Sequence, residues 1–340
     1  MSAMEPSTLA SFWAGVLACA ILIYVILDGF DLGVGVLFGA TGEEAHRVRM
    51  MDTIAPFWDG NETWLVVIGA GLFAAFPDVY AVFLGAFYLP VLLLLIGLIF
   101  RGIAFEFRFR SERMRRFWDW GFFLGSTVVA FVQGAAVGAM MRGIPVVNGQ
   151  YAGGPFGWLH PFPVLTGIGL VLGYALLGAG WLVLKSDGAL REWAYARIRW
   201  LAAGVLAVLA LAFTVTFDYS VLARSNLQAR PWGLVFPALG VLALVGLAVG
   251  VHRKRHDGVP FAITALFFLA AFLSLGVMFW PYMIPYSITV ADAAAPDVSL
   301  RFLFYGGVVV LPVIAAYTIG VYWVFRGKVR SGYGGTGEER

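Results

Sequence analysis

The feature that most constrains the fold is a series of long apolar segments separated by short charged ones. The chain has 340 residues, of which 61% are hydrophobic and 13% are charged, and its mean hydropathy is +0.84. Soluble domains contain about 45–50% apolar and about 25% charged residues. Because so little charge cannot cover a water-exposed surface of this size, the sequence predicts a polytopic membrane protein.

Nine apolar segments are long enough to cross a bilayer, since a spanning helix needs about 20 apolar residues. The predicted fold class is therefore all-α, with nine transmembrane helices in a single domain over residues 1–330. The predicted spans are 9–38, 54–76, 79–100, 118–141, 159–184, 200–217, 231–251, 261–279 and 302–325. The tail, residues 331–340, is Gly-rich and charged and is predicted to be disordered.

The basic residues orient these spans. Of the 23 Lys and Arg residues, 19 lie in alternate connections and in the tail, and the other four lie on the opposite side. Cytoplasmic loops are enriched in Lys and Arg, so the N-terminus is predicted to be outside and the C-terminus in the cytoplasm. The net charge of +3 thus reflects membrane orientation, and no nucleic-acid partner is expected.

Four carboxylates lie in the first two predicted spans, where ionisable groups are costly and mark functional sites. Asp28 and Asp31 are three residues apart, as are Asp59 and Glu62, so each pair shares one helix face. With the predicted orientation, all four lie in the inner half of the bilayer. Neighbouring carboxylates in a low dielectric cannot all ionise, so the group could hold and pass protons. The alternative is that they pair with Arg101 or cap helix ends.

Haem and metal ions are the cofactors to test in such a protein. The four histidines, His46, His160, His252 and His256, all fall in loops or at span ends, where no facing pair at mid-membrane depth can form. The single cysteine, Cys19, excludes a cysteine-based metal site. We therefore expect no haem and no metal bound by this chain alone. Gln133, in the fourth span, is expected to form an interhelical hydrogen bond.

Several motifs resemble those of subunit II of cytochrome bd-type ubiquinol oxidases. They are YVILDGFDLGVG at 24–35, PFWDGNETWLVV at 56–67 and RGIAFEFR at 101–108. Near the end of the chain, WPY at 280–282 and FRGKV at 325–329 are similar to the last two spans of that family. The middle of the chain resembles the family only in its pattern of apolar segments.

The resemblance implies one subunit of a bacterial inner-membrane respiratory oxidase that oxidises quinol and reduces dioxygen to water. It implies that haem b and haem d-type groups belong to the partner, subunit I, and that this chain is a haem-free accessory subunit. A small accessory membrane peptide, quinone and lipids are further expected partners. The cyanide-insensitive branch is one subgroup of the family to which the chain could belong.

The resemblance also implies roles for particular residues. The WDGNE acid is the one linked to proton entry, so Asp59 is the first candidate. The full set of proton-route candidates is Asp59, Asp28, Glu62 and Asp31, and the supporting motif residues are Trp58, Asn61, Arg101 and Glu106. Catalytic residues are not expected in this chain.

Two other functions remain open at this point. A stand-alone proton-coupled transporter would also use intramembrane carboxylates, but it should show paired broken spans in two related halves. In this sequence the acids are confined to the first two spans. A purely structural scaffold is the third possibility, and it differs from the accessory subunit only in whether the acids conduct protons.

Overall fold

The protein is a bundle of long helices, seen here in a computed structural model that describes residues 6–110, 112–250 and 256–329. It is 81% helical. The helices are α1 (Thr8–Phe38), α2 (Glu44–Ile54), α3 (Trp58–Ala75), α4 (Pro77–Ala86), α5 (Tyr88–Phe107), α6 (Arg115–Arg142), α7 (Pro161–Lys185), α8 (Gly188–Tyr219), α9 (Val221–Ala229), α10 (Val235–Gly250), α11 (Gly258–Phe279), α12 (Val290–Ala293) and α13 (Asp297–Val324). A 3-10 turn, Pro231–Leu234, precedes α10.

Two short antiparallel hairpins depart from a purely helical fold. Strand β1 (Val146–Val147) pairs with β2 (Gln150–Tyr151) in the connection between α6 and α7. Strand β3 (Tyr282–Ile284) pairs with β4 (Ile288–Thr289) in the connection between α11 and α13. Both hairpins shape connections between helices and leave the bundle itself helical.

Eight helices in the described part of the chain are long and apolar enough to cross a membrane. Each of them overlaps one of the nine predicted spans. The remaining prediction, 54–76, corresponds to α3, an 18-residue helix that begins with the polar run Trp58-Asp59-Gly60-Asn61-Glu62. Those polar residues reduce the mean hydropathy of α3, so the count of nine spans stays a prediction. The orientation of the bundle in the membrane also stays a prediction.

The third predicted span, 79–100, is wrong in its boundaries. Helix α4 ends at Ala86, and the crossing helix α5 begins at Tyr88 and continues to Phe107. The interruption lies at Phe87, whose φ and ψ are −113° and 25°. Its cause is Pro90, because a proline ring clashes with the carbonyl four residues earlier, which here belongs to Ala86.

Helix α1 is central to the bundle and packs against α3, α6 and α7. Glycines allow the closest of these crossings. A Cβ atom on Gly33 would lie 1.7 Å from the Tyr174 carbonyl oxygen, and one on Gly178 would lie 2.5 Å from the Gly33 carbonyl carbon. Close approach of small residues is a common way to join membrane helices. It brings the acidic part of α1 against the middle of α7.

The chain segment after α13 is fixed to the ends of α7 and α8. The backbone N–H of Val329 donates to the Lys185 carbonyl at 2.9 Å. The Lys328 ammonium contacts Asp257 at 2.6 Å and Asp187 at 2.7 Å. We call the group of Lys328, Asp257, Asp187 and Arg191 the C-terminal latch. The predicted disordered tail, 331–340, lies outside the described residues.

Candidate functional site: an acid cluster around a buried arginine

Three helices place a group of polar side chains inside the apolar bundle. Asp28 and Asp31 come from α1, Asn61 and Glu62 from the first turns of α3, and Arg101 from α5. Asp28 and Asp31 are fully buried, and Asn61 and Arg101 are each 1% exposed. We call these five residues the acid cluster. The cluster brings together five of the eight site residues that the sequence predicted.

Arg101 is the cation of the acid cluster. Its Nη1 atom lies 2.6 Å from Glu62 Oε1 and 3.8 Å from Asp28 Oδ1. Its Nε and Nη2 atoms have no hydrogen-bond partner among the described residues, and neither do the two carboxylate oxygens of Asp28. The pairing with Arg101 that the sequence left open as an alternative is therefore present for Glu62 and Asp28.

Asp31 is held by an amide instead of a cation. Asn61 Nδ2 donates to Asp31 Oδ2 at 2.6 Å and to the Leu27 carbonyl at 3.2 Å. The Tyr322 hydroxyl, from α13, donates to Asn61 Oδ1 at 3.0 Å. Sequence reasoning missed Tyr322, although a tyrosine inside an otherwise apolar span is a signal of a buried hydrogen bond.

A second polar chain lies one helical turn from Asp28. Gln133 Nε2 donates to the Tyr24 hydroxyl oxygen at 2.8 Å, and the Tyr174 hydroxyl donates to Gln133 Oε1 at 2.8 Å. These contacts join α1, α6 and α7, so the interhelical hydrogen bond expected of Gln133 is confirmed. The two tyrosines are further residues that the sequence analysis did not select.

Three predicted site residues lie outside the acid cluster. Asp59 is exposed on α3, and its side chain makes no hydrogen bond or ion pair with residues in the described ranges. Trp58 packs on Phe105, with ring centroids 5.6 Å apart. Glu106 is 60% exposed and lies 3.8 Å from Arg110.

A different ion network lies where α1 and α5 end. Arg108 is fully buried, and its Nε donates to Asp119 at 2.5 Å while its Nη2 donates to Glu44 at 2.8 Å. Arg47 also binds Asp119, at 2.9 Å, and Arg115 lies 3.7 Å from Glu44. We call these five residues the arginine network. It connects α2, α5 and α6, and it contains more cations than anions.

The three described histidines lie outside the interior of the long helices. His46 belongs to α2, outside the long helices, where it lies 3.3 Å from Glu43 and edge-on to Trp193. His160 immediately precedes α7, and His256 is exposed just before α11. The fourth, His252, lies outside the described residues. No group of three metal-ligating side chains occurs in the part of the chain that the structure describes.

The acid cluster has the electrostatic character of a proton-holding site. Two carboxylates, those of Glu62 and Asp28, contact the one guanidinium, and a third, that of Asp31, is buried in the same cluster without a cation of its own. Full ionisation would leave two uncompensated negative charges in low dielectric, which costs several kcal/mol per ion. At least one of the three acids is therefore expected to carry a proton.

Comparisons with known proteins agree with the motif resemblance. The family model described as cytochrome bd terminal oxidase subunit II matches residues 9–325. Cytochrome bd-I ubiquinol oxidase subunit 2 of Escherichia coli K12 is 31% identical over 366 residues, covering 96% of each chain. Cytochrome bd ubiquinol oxidase subunit 2 of Bacillus subtilis is 31% identical over 337 residues, covering 95% of this chain and 97% of the relative.

The fold has a counterpart among solved structures. A chain of the bd oxidase from Geobacillus thermodenitrificans superposes with a TM-score of 0.77 at 20% identity, covering 94% of this chain and 98% of that one. The match to the subunit II family and the eight apolar helices able to cross a membrane together identify a multi-pass protein of the bacterial inner membrane. The chain belongs to the cytochrome bd terminal oxidase subunit II family.

Proposed function

We propose that this chain is the haem-free accessory subunit of a quinol:dioxygen oxidoreductase, and that its acid cluster takes up protons from the cytoplasmic side. Reduction of dioxygen to water consumes protons as well as electrons. The haem b and haem d-type groups that carry the electrons would belong to subunit I, since the described histidines of this chain lie outside the interior of the long helices. The observation that carries the proposal is the surplus of carboxylates around Arg101.

The exposure of Asp59 supports a partner subunit beside α3. A carboxylate in the first turn of a membrane helix is costly against lipid, so it requires water or protein at that point. Helix α13 is adjacent: a Cβ atom on Gly60 would lie 3.5 Å from the Tyr317 ring. In the most apolar stretch of α13, no residue is buried against the rest of this chain. We therefore assign the face formed by α3 and α13 to subunit I, with Asp59 at the junction.

Asp59 and the acid cluster would then act in sequence. Asp59 collects a proton at the junction, and Glu62, one helical turn along α3 and 23% exposed, is the first cluster member it meets. In the orientation predicted from the basic loops, this entrance would lie on the cytoplasmic side. A small accessory peptide, quinone and lipids remain proposed partners of the whole complex.

A stand-alone proton-coupled transporter is not favoured. The chain matches subunit II sequences over nearly its entire length. In addition, the two fully buried acids, Asp28 and Asp31, both lie on α1, whereas a transporter of two inverted halves would place equivalent sites on both. The scaffold interpretation differs only in whether the acids exchange protons, so the experiment has to measure proton uptake.

The test is Asp59→Asn in the purified two-subunit oxidase, with Asp78→Asn as the matched control because Asp78 lies in the first turn of α4. We expect Asp59→Asn to lower quinol oxidase turnover and proton uptake at least tenfold with haem content unchanged, and Asp78→Asn to leave both unaltered. Full turnover and proton uptake in Asp59→Asn with normal haem would support the scaffold. Haem retained by this chain purified without a partner would contradict the accessory role.

A further inference from the structure

An open apolar groove runs along the outside of the bundle where α6 and α7 meet, and we call it the lateral groove. Its volume is about 310 Å³. It is lined by Thr127, Val128, Phe131, Ile168, Val171 and Leu172. The Thr127 hydroxyl is already used, since it donates to the Phe123 carbonyl at 2.8 Å. Helix α8 borders the groove, because a Cβ atom on Gly204 would lie 3.4 Å from the Leu172 side chain.

Arg197, on α8, is a cation without a carboxylate. Its Nη1 donates to the Trp193 carbonyl at 3.0 Å, and its guanidinium lies over the Trp193 ring, 3.4 Å from the centroid. It forms no ion pair with any residue in the described ranges, whereas Arg191 on the same helix binds Asp257 at 2.7 Å. Stacking on an aromatic ring leaves the edge of a guanidinium free to bind an anion such as phosphate.

Arg197 lies at one end of the lateral groove. It is seven residues before Gly204, so the two share a face of α8 and are about 10 Å apart along its axis. Trp200, on the same side of α8, is 70% exposed, and Trp120, seven residues before Thr127 on α6, is 56% exposed. Exposed tryptophans are typical of the membrane–water interface. The groove therefore lies below the interface, in the hydrocarbon layer, and Arg197 lies at the level of the lipid headgroups.

Helix α2 brings further positive charge to this end of the groove. His46 is edge-on to Trp193, with ring centroids 5.9 Å apart, and the next residue, Arg47, binds Asp119 of α6 at 2.9 Å. Helix α2 thus bridges α8 and α6 and carries part of the arginine network, in which three arginines face two carboxylates. A local surplus of cations attracts an anionic ligand.

We propose that the lateral groove binds one anionic phospholipid, with its phosphate at Arg197 and one acyl chain against α6 and α7. A phospholipid carries its anion at the interface and its hydrocarbon below, which is the order in which Arg197 and the groove occur. A zwitterionic lipid fits less well, because its own cation would lie beside the arginine surplus. The site lies on helices other than α3 and α13, which are assigned to subunit I, and it does not depend on proton uptake.

The headgroup contact is tested by titrating lipid into the delipidated two-subunit oxidase and counting bound molecules by native mass spectrometry. We expect phosphatidylglycerol to bind more tightly than phosphatidylcholine, and Arg197→Gln to weaken phosphatidylglycerol binding about tenfold. The matched control is Arg199→Gln. Arg199 also stacks on a tryptophan, with its guanidinium 5.2 Å from the Trp200 ring, but two residues along a helix is a turn of about 200°, so it points away from the groove.

The control variant should bind phosphatidylglycerol as the unchanged protein does. Equal affinities in Arg197→Gln and Arg199→Gln would overturn the proposal, as would equal binding of the two lipids by the unchanged oxidase. Inorganic phosphate in millimolar excess should leave the bound lipid in place. Displacement by phosphate would show that the site recognises the anion alone.

The acyl-chain contact is tested by filling the groove. Ile168 is 46% exposed, so Ile168→Trp adds bulk inside the groove without disturbing a buried position, and we expect it to abolish the tight phosphatidylglycerol site with haem content unchanged. Leu242→Trp is the control, since Leu242 is 68% exposed on α10, outside the groove, and it should bind lipid normally. Normal binding in Ile168→Trp would refute the acyl-chain assignment, and loss of a copurifying peptide in place of lipid would assign the groove to a protein partner.

Discussion

Two buried arginines on one helix have opposite surroundings. Arg101 and Arg108 both lie on α5 or at its end, seven residues apart and therefore on one face, and both are at most 1% exposed. Arg101 is the single cation of a cluster with three carboxylates and contacts two of them, Glu62 and Asp28. Arg108 shares Glu44 and Asp119 with Arg47 and Arg115. The acid cluster thus contains more carboxylates than cations, whereas the arginine network contains more cations than carboxylates.

The difference agrees with the proposed proton exchange at the acid cluster and with a structural role for the arginine network. Both carboxylates of the arginine network are paired with arginines, and Arg108 donates three hydrogen bonds across helices. Its charge state has no reason to change. The acid cluster reaches neutrality only by binding protons, and Arg101 leaves two of its nitrogens unpartnered among the described residues. Buried polar groups left unsatisfied in this way are costly, and they cluster at functional positions.

Arg108→Met should cause the largest loss of stability. It leaves Glu44 without its closest partner and Asp119 with only Arg47, and breaking a buried ion pair costs about 3–5 kcal/mol. Thermal unfolding of the purified complex should show the loss at every pH between 6 and 9. The control, Arg110→Met, removes an arginine that is 72% exposed and should change stability by about 0.5 kcal/mol or less. Equal unfolding temperatures for the two variants would contradict the structural role of Arg108.

Arg101→Met should cost less, about 2 kcal/mol near neutral pH, and its cost should depend on pH. The three carboxylates can replace the lost cation by binding a further proton, which is easier in acid than in alkali. Unfolding temperatures measured against pH should therefore diverge from those of the unchanged protein as the pH rises. A pH-independent loss equal to that of Arg108→Met would show that the two arginines have the same role.

Sequence reasoning identified the acid cluster but not its internal order. The rarity of charge made Asp28, Asp31, Glu62 and Arg101 visible, because every ionisable group in an apolar span calls for an explanation. The rarity of charge did not show that Asp59 and Glu62 have different surroundings. Three residues apart, they were expected on one face, but a helical step of three residues is about 300°, and in the structure Glu62 contacts Arg101 while Asp59 is exposed.

The tyrosines and the break near Phe87 show a second limit of prediction from the sequence, which is what a hydropathy window can detect. Tyr24, Tyr174 and Tyr322 have no signature in a hydropathy window because their rings fit an apolar segment, and only the packing of α1, α6, α7 and α13 shows what their hydroxyls bind. The break at Phe87 was readable in principle from Pro90. A window average spreads one proline over many apolar neighbours, so the third span was drawn across it.

The C-terminal latch extends the comparison to charges outside the membrane. Hydrogen bonds from Arg191, which outweigh partial burial, and from Lys328 lower the pKa of Asp257 to about 2. A carboxylate whose folded-state pKa is depressed stabilises the fold above its unfolded pKa of about 3.9 and loses that contribution as the pH falls toward 2. Asp257→Asn should therefore cost about 1 kcal/mol at pH 6, after allowance for solvent screening.

The measurement for the latch is the unfolding temperature of Asp257→Asn and of the unchanged protein at pH 6 and at successive values down to pH 2. The gap should be constant above pH 5 and should close below pH 4. Added salt should narrow it at pH 6, because partly exposed charges are screened. A gap that persists at pH 2 would mean that Asp257 acts through packing and not through its charge.

The smallest effect is expected at Glu106, although it belongs to the RGIAFEFR motif that resembles the family. Its carboxylate is 60% exposed and 3.8 Å from an arginine that is 72% exposed, and exposed pairs of this kind contribute about 0–1 kcal/mol. Glu106→Gln should leave the unfolding temperature of this subunit nearly unchanged, while Arg108→Met, two residues away, lowers it strongly. If Glu106→Gln instead abolishes assembly with normal subunit stability, the residue contacts the partner. That outcome would separate motif positions that hold this chain together from those that hold the two subunits together.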